Sequence, residues 1–540
     1  MPTHSKLLFR DEARAKLLAG AKAMADAVRP TLGPEAHSVL LESKYGSPTV
    51  CDDGVTIAKR VNLADPEENL GARMIRDAAV NTGETVGDGT TTSTLLSHAI
   101  FAEGLRNVVA GTSAVGIRRG LNQALALALE AISDLARPVK DRSDMVHVAT
   151  VSAHDDDEIG GLVADAVERV GGEGVVEVED GRGTETVLEV VEGVQFDKGY
   201  LSPYFVTDVE SMRVELEQPY ILFHDKKVSG MASLVPLLEK VMADHRPLIV
   251  VAEDVEGEAL ATLVVNKIRG VLSVAAVKAP GFGERRKAML GDFAVLTGGR
   301  VISAEVGDLL ENVTLADLGT AAKVIIDKDS TTIISGSGEE QAVEGRRQEI
   351  RNQIEITTSD WDREKLEERL ARLSEAVAII RVGALSEVEM KRRKEAFDDA
   401  IASTRAALAE GIVPGGGAAF IRAAEALRPH IEDARGAERV GMEILLQALE
   451  TPTRQLADNS GLDDGVVVER IRNGSEFFGL DARTCDYADL DEIGVIDAAK
   501  VVRIALQNAV SVASTLLLTD ATLTDIEDEP DQPALPPDFG

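Results

Sequence analysis

The chain has 540 residues, too many for one hydrophobic core, so several domains are expected. With 92 acidic against 57 basic residues its formal charge is −35, which argues against nucleic acid or an anionic membrane surface as the main partner. Aromatic residues make up only 3%, and the two cysteines, Cys51 and Cys485, form no C-x-x-C pattern, so neither a disulfide framework nor a zinc site is indicated and a reducing cytosol fits.

Met1 to Phe9 lacks the apolar core of a signal peptide, and no run approaches the ~18 apolar residues of a membrane span, so a soluble, cytoplasmic protein is expected. From Asp11 to about Thr31 apolar residues recur at helical spacing (Ala15, Leu18, Ala21, Ala25, Val28), and Thr31-Leu32-Gly33-Pro34 stops the run. Short strand-like pieces, Ser38 to Glu42 and Thr49 to Cys51, lead to the turn Asp52-Asp53-Gly54. Helical patterns follow at Pro66 to Asn81, Thr91 to Ala110, Val115 to Ala136 and Asp155 to Val170.

Between the second and third of these helices lies Val86-Gly87-Asp88-Gly89-Thr90-Thr91-Thr92-Ser93-Thr94. Two glycines allow a tight turn, Asp88 offers a carboxylate, and three threonine hydroxyls accompany the free N–H groups of a new helix. A Mg-phosphate group needs those parts, because a hard cation takes one or two carboxylates plus phosphate oxygens. No Lys follows the glycines, so this is not the G-x-x-x-x-G-K-[ST] loop, and a plain glycine turn with a Thr cap accounts for the local sequence equally well.

Near Gly171 the character changes. β-Branched runs at Gly174 to Val178, Thr186 to Val191, Leu248 to Val251, Leu272 to Val277 and Lys323 to Ile326 alternate with helical stretches such as Leu234 to Ala243 and Glu258 to Arg269, the pattern of an α/β domain. Charged helix returns from about Gly338 to Ala376 and from Ser386 to Glu410. The glycine cluster Gly415-Gly416-Gly417 follows, then helical runs Ala418 to Ala426 and Val440 to Leu456. Helix, then sheet, then helix implies one domain inserted in another. Asp525 to Gly540, acidic and proline-rich, reads as a disordered tail.

Asp53, Asp399 and Asp497 stand beside glycine turns or on helices near them, but among 92 acidic residues spacing alone does not separate a catalytic acid from a solvated one. His154-Asp155-Asp156-Asp157-Glu158 reads as the acidic start of a helix, since consecutive residues cannot all face one ion. No G-x-S-x-G or H-E-x-x-H motif supports hydrolase chemistry of the protease or esterase kind. Leu234, Leu238 and Val241 share one helix face, as do Leu260, Val264 and Ile268. Such faces are usually core, and a client-binding groove is the alternative.

Six segments carry a family resemblance: Thr31 to Pro34, Asp53-Gly-Val-Thr, Gly87 to Thr92, Gln195 to Phe205, Ala252 to Asn266 and Val277 to Leu290. In these the chain resembles the bacterial 60 kDa, group I chaperonins, collinearly from near residue 10 to about 525. The resemblance implies a multidomain α and α/β fold, with a mainly helical equatorial ATP-binding domain from residues 1–134 and 411–525. An intermediate hinge domain (135–191 and 378–410), an α/β apical domain (192–377) and a tail (526–540) complete it. It implies a chaperonin ATPase that uses ATP with Mg²⁺, and K⁺ as a further ion, in a double heptameric ring. The partners it implies are a co-chaperonin lid and non-native protein clients, with neither nucleic acid nor membrane. Carried over by position, Asp88 resembles the Mg²⁺ ligand and Gly89, Thr90, Thr91 and Thr92 the phosphate cradle. Thr31, Leu32, Gly33 and Pro34 resemble the loop against the nucleotide, and Gly416, Asp481, Ala482 and Asp497 its ribose and base end. Asp399 resembles the acid that orients the attacking water, and Asp53 the acid facing the γ-phosphate. Tyr200, Tyr204, Phe205, Val235, Leu238, Leu260, Val264 and Val265 match the apical client surface.

The chain also departs from that family. Asp52 stands where a Lys is usual, and Glu35-Ala36-His37 follows Gly33-Pro34 where a basic, glycine-containing stretch is familiar. Glu375-Ala376 replaces paired hinge glycines, although Gly193 keeps the other hinge. Asp481-Ala482-Arg483 replaces small residues at the base pocket, and the acidic end replaces a Gly-Gly-Met tail. These mark a divergent paralogue with altered lid dependence or client range. A ring-forming holdase or scaffold with weakened ATPase is the alternative function.

Overall fold

The computed structural model describes residues 4–42, 48–172, 174–181, 183–209, 211–357, 359–373 and 376–526. The chain divides into two compact units, one from residues 1–168, 178–186 and 382–540, the other from 169–177 and 187–381. The second is therefore an insertion in the first, as the order of helical and strand patterns implies.

In the first unit, helices Arg10–Val28, Pro66–Val86, Thr90–Val109, Ala114–Leu135, Ala418–Asp433, Gly436–Ala448 and Ala499–Leu518 share one core. The low aromatic content has a packing reason. A Cβ on Gly20 would sit 1.7 Å from the Glu68 carbonyl oxygen, and one on Gly120 1.9 Å from that of Glu438, so whole helix backbones lie against each other. Alanines such as Ala21, Ala72, Ala79, Ala124 and Ala509 fill the rest of that interior at or near zero exposure.

Among the elements that depart from the sequence reading, three stand out. Ala499–Leu518 is absent from the sequence reading although it is amphipathic, with Lys500, Arg503, Gln507 and Ser511 on one face and Val502, Leu506, Ala509 and Ala513 buried on the other. By length and composition it could cross a bilayer, contrary to the expectation that no run is apolar enough, but more than half of it is buried in this core. Second, Ala521–Ile526 is a strand, antiparallel to His4–Phe9 with Ser5 opposite Asp525, so no tail begins at Asp525. The rest of the expected tail, 527–540, lies outside the described residues. Third, the helix Arg142–Ser152 was not anticipated.

The second unit is built on a mixed sheet. Strands Tyr220–Val228, Leu248–Val255 and Val274–Lys278 run parallel, each opening on a run of four or five buried, apolar residues where both faces are covered. Helices Val235–Asp244, Gly257–Ile268 and Gly283–Thr297 follow them in turn. Strands Gly319–Ile326, Thr331–Gly336, Val187–Phe196 and Ala376–Val382 extend the sheet antiparallel. Gly193, expected at a hinge, lies inside the strand Val187–Phe196, where a Cβ would meet Val377 Cγ2 at 2.4 Å. Glu375 lies outside the described residues, and Ala376 opens a strand. The charged stretch from Gly338 resolves into two helices, Glu340–Ile356 and Asp360–Leu373.

Candidate active site

The first unit holds a cavity of about 450 Å³ whose wall comes from nine separate stretches of the chain. At one end the helix Pro66–Val86 stops at Gly87, φ 77°, and after Asp88 a new helix opens at Gly89, φ 80°. Side chains are excluded there. A Cβ on Gly87 would lie 2.3 Å from Ala402 Cβ, and one on Gly89 2.9 Å from Val501 Cγ1. The new helix, Thr90–Val109, has no side-chain cap, so its first N–H groups and the positive end of its dipole are left for an anion beside Thr90, Thr91 and Thr92.

Against this end lies the loop Thr31 to Pro34. Thr31 Oγ1 donates to the Val28 carbonyl at 2.8 Å and sits 3.2 Å from Thr91 Oγ1. Asn459 Nδ2 donates to the Leu32 carbonyl at 2.9 Å and holds the loop from the far side of the sequence. Gly33, φ 91°, leaves room for Leu456, whose Cδ1 a Cβ would meet at 2.2 Å.

The acids converge on the same space. Asp53 caps the helix Gly54–Arg60, accepting from the N–H groups of Val55 at 3.0 Å and Thr56 at 2.7 Å. Asp399, on the helix Glu387–Glu410, faces the cavity from below the molecular surface, and its proton affinity is raised well above that of an ordinary carboxyl. Burial is the main cause, and repulsion from Asp88, Asp53, Asp398 and Glu395 adds to it. Asp497, on the strand Ile496–Ala498, is pushed up to about 7 by burial and then by Asp88. Glu395, one turn before Asp399, is likewise pushed up to about 7 by burial and by Asp53. Among the described residues lining the cavity, Arg483 is the single Lys or Arg, and Asp52 adds another carboxylate where a Lys is usual.

Asp52 has Arg392 at 3.9 Å, but Asp53, Asp88, Asp399 and Asp497 have no ion-pair partner among the described residues, an arrangement that suits a cation. Among the described residues no three His, Cys, Asp or Glu side chains come close enough to form an all-protein metal cage. A hard cation at Asp88 would therefore complete its shell with ligand oxygens and water, the habit of Mg²⁺.

At the other end, Gly416, φ 60°, Leu480, Ala482 and Ile493 make a mostly apolar wall. Asp481 lines it as well, but its oxygens are taken by the Arg483 N–H at 3.0 Å and the Thr484 hydroxyl at 2.8 Å. All the nucleotide-site residues expected from the sequence thus line this one cavity: Thr31, Leu32, Gly33, Pro34, Asp53, Asp88, Gly89, Thr90, Thr91, Thr92, Asp399, Gly416, Asp481, Ala482 and Asp497.

Sequence reasoning missed one wall. The helix Arg142–Ser152 brings His147, Thr150, Val151 and Ser152 to the cavity, and the Ser152 hydroxyl donates to Ser403 Oγ at 2.9 Å. Ser403 in turn lies 3.5 Å from Asp88 Oδ2. Four residues after Asp399, Ser403 shares its helix face, the one signal that would have found it. The acidic run at 154–158 does begin a helix, with Asp156 accepting from the N–H groups of Glu158 and Ile159, and His154, Asp155 and Asp157 also line the cavity.

In the α/β unit the expected client surface divides. Tyr204, Val235 and Val265 are exposed at 67%, 40% and 43%. Tyr200, Leu260 and Val264 pack half-buried against the core. Phe205 and Leu238 belong to that core, so for these two the carried-over surface role gives way to the ordinary reading of an apolar helix face.

Comparison with known proteins agrees with this geometry. Residues 24–527 match the TCP-1/cpn60 chaperonin family. Over 533 residues the chain is 56% identical to the protein named Chaperonin GroEL 5 of Bradyrhizobium diazoefficiens, an alignment that spans 99% of this chain and 98% of that one. The chain belongs to the TCP-1/cpn60 chaperonin family, as a GroEL-type, ATP-dependent chaperonin.

Proposed function

We propose that the cavity of the helical unit binds Mg-ATP and hydrolyses it, and that this turnover drives the binding and release of non-native proteins. The observation that carries the reading is the convergence of Asp53, Asp88 and Asp399 with the uncapped start of the helix Thr90–Val109 on one cavity. Asp88 holds Mg²⁺, which when bound offsets the charge of the phosphate oxygens. The N–H and hydroxyl groups of Thr90, Thr91 and Thr92 cradle the phosphates, and K⁺ is the further cation that so acidic a wall accommodates. Asp399 orients the attacking water and takes its proton, a task suited to a carboxyl whose proton affinity burial has raised. Asp53 faces the γ-phosphate with the rigidity of a capping residue. The nucleoside lies between Thr31 to Pro34 and Gly416, Asp481, Ala482 and Asp497.

On this reading residues 1–134 and 411–525 form the equatorial domain, 135–191 and 378–410 the intermediate domain, and 192–377 the apical domain, in a cytoplasmic double heptameric ring closed by a co-chaperonin lid. The exposed apolar residues Leu7, Phe9 and Leu523 on the terminal strands, with Leu40 and Val50 on the hairpin Val39–Leu41/Thr49–Cys51, support contact between copies. Tyr204, Val235 and Val265 support client capture.

Two substitutions test the site. Asp399→Ala is expected to cut steady-state ATP turnover by roughly 10²- to 10⁴-fold, the range for a positioned general base, while nucleotide affinity holds. Asp88→Ala is expected to weaken Mg-ATP binding about 10- to 100-fold, the cost of one charged ligand. Turnover near wild type in the first, or unchanged affinity in the second, removes that residue from its role.

A further inference from the structure

Arg483, the one cation among the described residues of the cavity wall, stands at the tip of the hairpin Phe478–Asp481/Asp486–Asp489. The tip is braced, because Asp481 accepts both the Arg483 N–H and the Thr484 hydroxyl. Asp155 comes from elsewhere, just before the helix Asp157–Val170. It and His154 both have positive φ, 68° and 54°, a left-handed conformation costing a non-glycine residue about 1–2 kcal/mol. The Asp155 N–H donates to the Thr150 carbonyl at 2.9 Å and fixes this turn. The turn carries Asp155 Oδ2 to 2.8 Å from Arg483 Nη1. The two side chains are 30% and 60% exposed, so the pair spans the rim of the cavity rather than its floor. Burial lifts the Asp155 carboxyl above its ordinary proton affinity, Asp157 and Asp481 add repulsion, and Arg483 is the group that opposes them. Without Arg483, three carboxylates would face one another at the rim.

We propose that the Arg483–Asp155 ion pair is a clasp across the rim of the nucleotide cavity, closed over bound nucleotide and opened for ADP to leave. The inference rests on the reading of this cavity as the ATP site. It assigns Arg483 a positioning role, not a part in the chemistry. On the proposed domain division Asp155 lies in the intermediate segment and Arg483 in the equatorial one, so movement of one on the other opens the pair.

The test is stopped-flow release of a fluorescent ADP analogue from the full-length protein, chased with unlabelled ADP. Arg483→Met and Asp155→Asn are each expected to speed release roughly two- to five-fold, the range of a partly exposed ion pair. The double variant should be no faster than the faster single one, and the exchange Asp155→Arg with Arg483→Asp should restore slow release. Added salt should accelerate the wild type more than either single variant. A simple change of local potential gives a different sign: losing the cation would loosen an anionic ligand, and losing the carboxylate would tighten it. Opposite shifts in the two single variants, or no shift in either, would overturn the clasp. Failure of the ATP-site reading itself shows separately, as Mg-ATP affinity unaffected by Asp88→Ala.

Discussion

Asp292, buried in the α/β unit, and Asp399, half-buried at the cavity of the helical unit, are carboxylates in opposite company. Asp292, 3% exposed, lies between Arg346 Nε at 2.7 Å and Arg369 Nε at 2.8 Å, and so ties together the helices Gly283–Thr297, Glu340–Ile356 and Asp360–Leu373. Around Asp399 the charged neighbours that shift it most are all acids, and among the described residues no Lys or Arg lies within ion-pair distance. At Asp292 the chain neutralises the charge itself, and at Asp399 it is left for a ligand to neutralise. Buried charge of the first kind is structure, and of the second kind is a binding site whose strength depends on the cation supplied.

Stability measurements on the two aspartates sharpen that contrast most. Asp292→Ala should cost about 3–5 kcal/mol, because Arg369 stays buried without its counter-charge and Arg346 is left with Glu349 alone. Hydrogen exchange should report the loss in the helices Glu340–Ile356 and Asp360–Leu373. Asp399→Ala in cation-free buffer should be neutral or stabilising, since it removes an uncompensated acid. An equal drop for both would break the comparison.

Within the α/β unit a second pair separates core from surface. Phe205→Ala, at a fully buried ring, should cost about 3–5 kcal/mol of unfolding free energy. Tyr204→Ala, at a 67% exposed ring, should stay within about 0.5 kcal/mol while reducing capture of a denatured test protein. If Phe205→Ala unfolds at the wild-type denaturant midpoint, the ring is not part of the core.

Much of this architecture is legible in the sequence wherever a local pattern determines it. The helices Thr90–Val109 and Ala114–Leu135 fall within a residue or so of the periodicity, because each carries one apolar stripe and a clear stop. Ala499–Leu518 carries such a stripe too, with Lys500, Arg503, Gln507 and Ser511 opposite it, and is within reach of the same test, whereas the strand Ala521–Ile526 is not, because its partner, His4–Phe9, lies at the opposite end of the chain. The cavity is legible only in part. Gly87-Asp88-Gly89 and the threonines announce an anion site locally, whereas Asp53, Asp399 and Asp497 are indistinguishable from surface acids until folding brings them together, and it is the family resemblance that selects them. Ser152 carries no local signal at all, its position depending on Ser403 more than 200 residues away, and Arg483 is placed at the base pocket by the family resemblance while its partner Asp155 is not.

A pH-dependent effect smaller than the losses at Asp292 and Phe205 reports on the cavity's charge directly. In the folded chain Asp497 titrates near 7, well above the roughly 4 of an unfolded carboxyl. Between those values the folded state holds a proton that the unfolded state has released. Unfolding free energy in cation-free buffer therefore falls as pH rises from about 4 to about 7, and the contribution levels off above that. Asp497→Asn cannot ionise, so its stability relative to wild type should rise across that window. Water in the cavity screens the carboxylate, and the expected gain is on the order of 1 kcal/mol, read as the difference between the two proteins' denaturant midpoints at pH 5 and pH 7.5 in chelator. Mg²⁺ with nucleotide should shrink the difference, because a cation at Asp88 removes the repulsion that helps hold the proton on Asp497. A difference that ignores the cation would place Asp497 outside the field of Asp88, and the cavity would then act as separate carboxylates instead of one charged site.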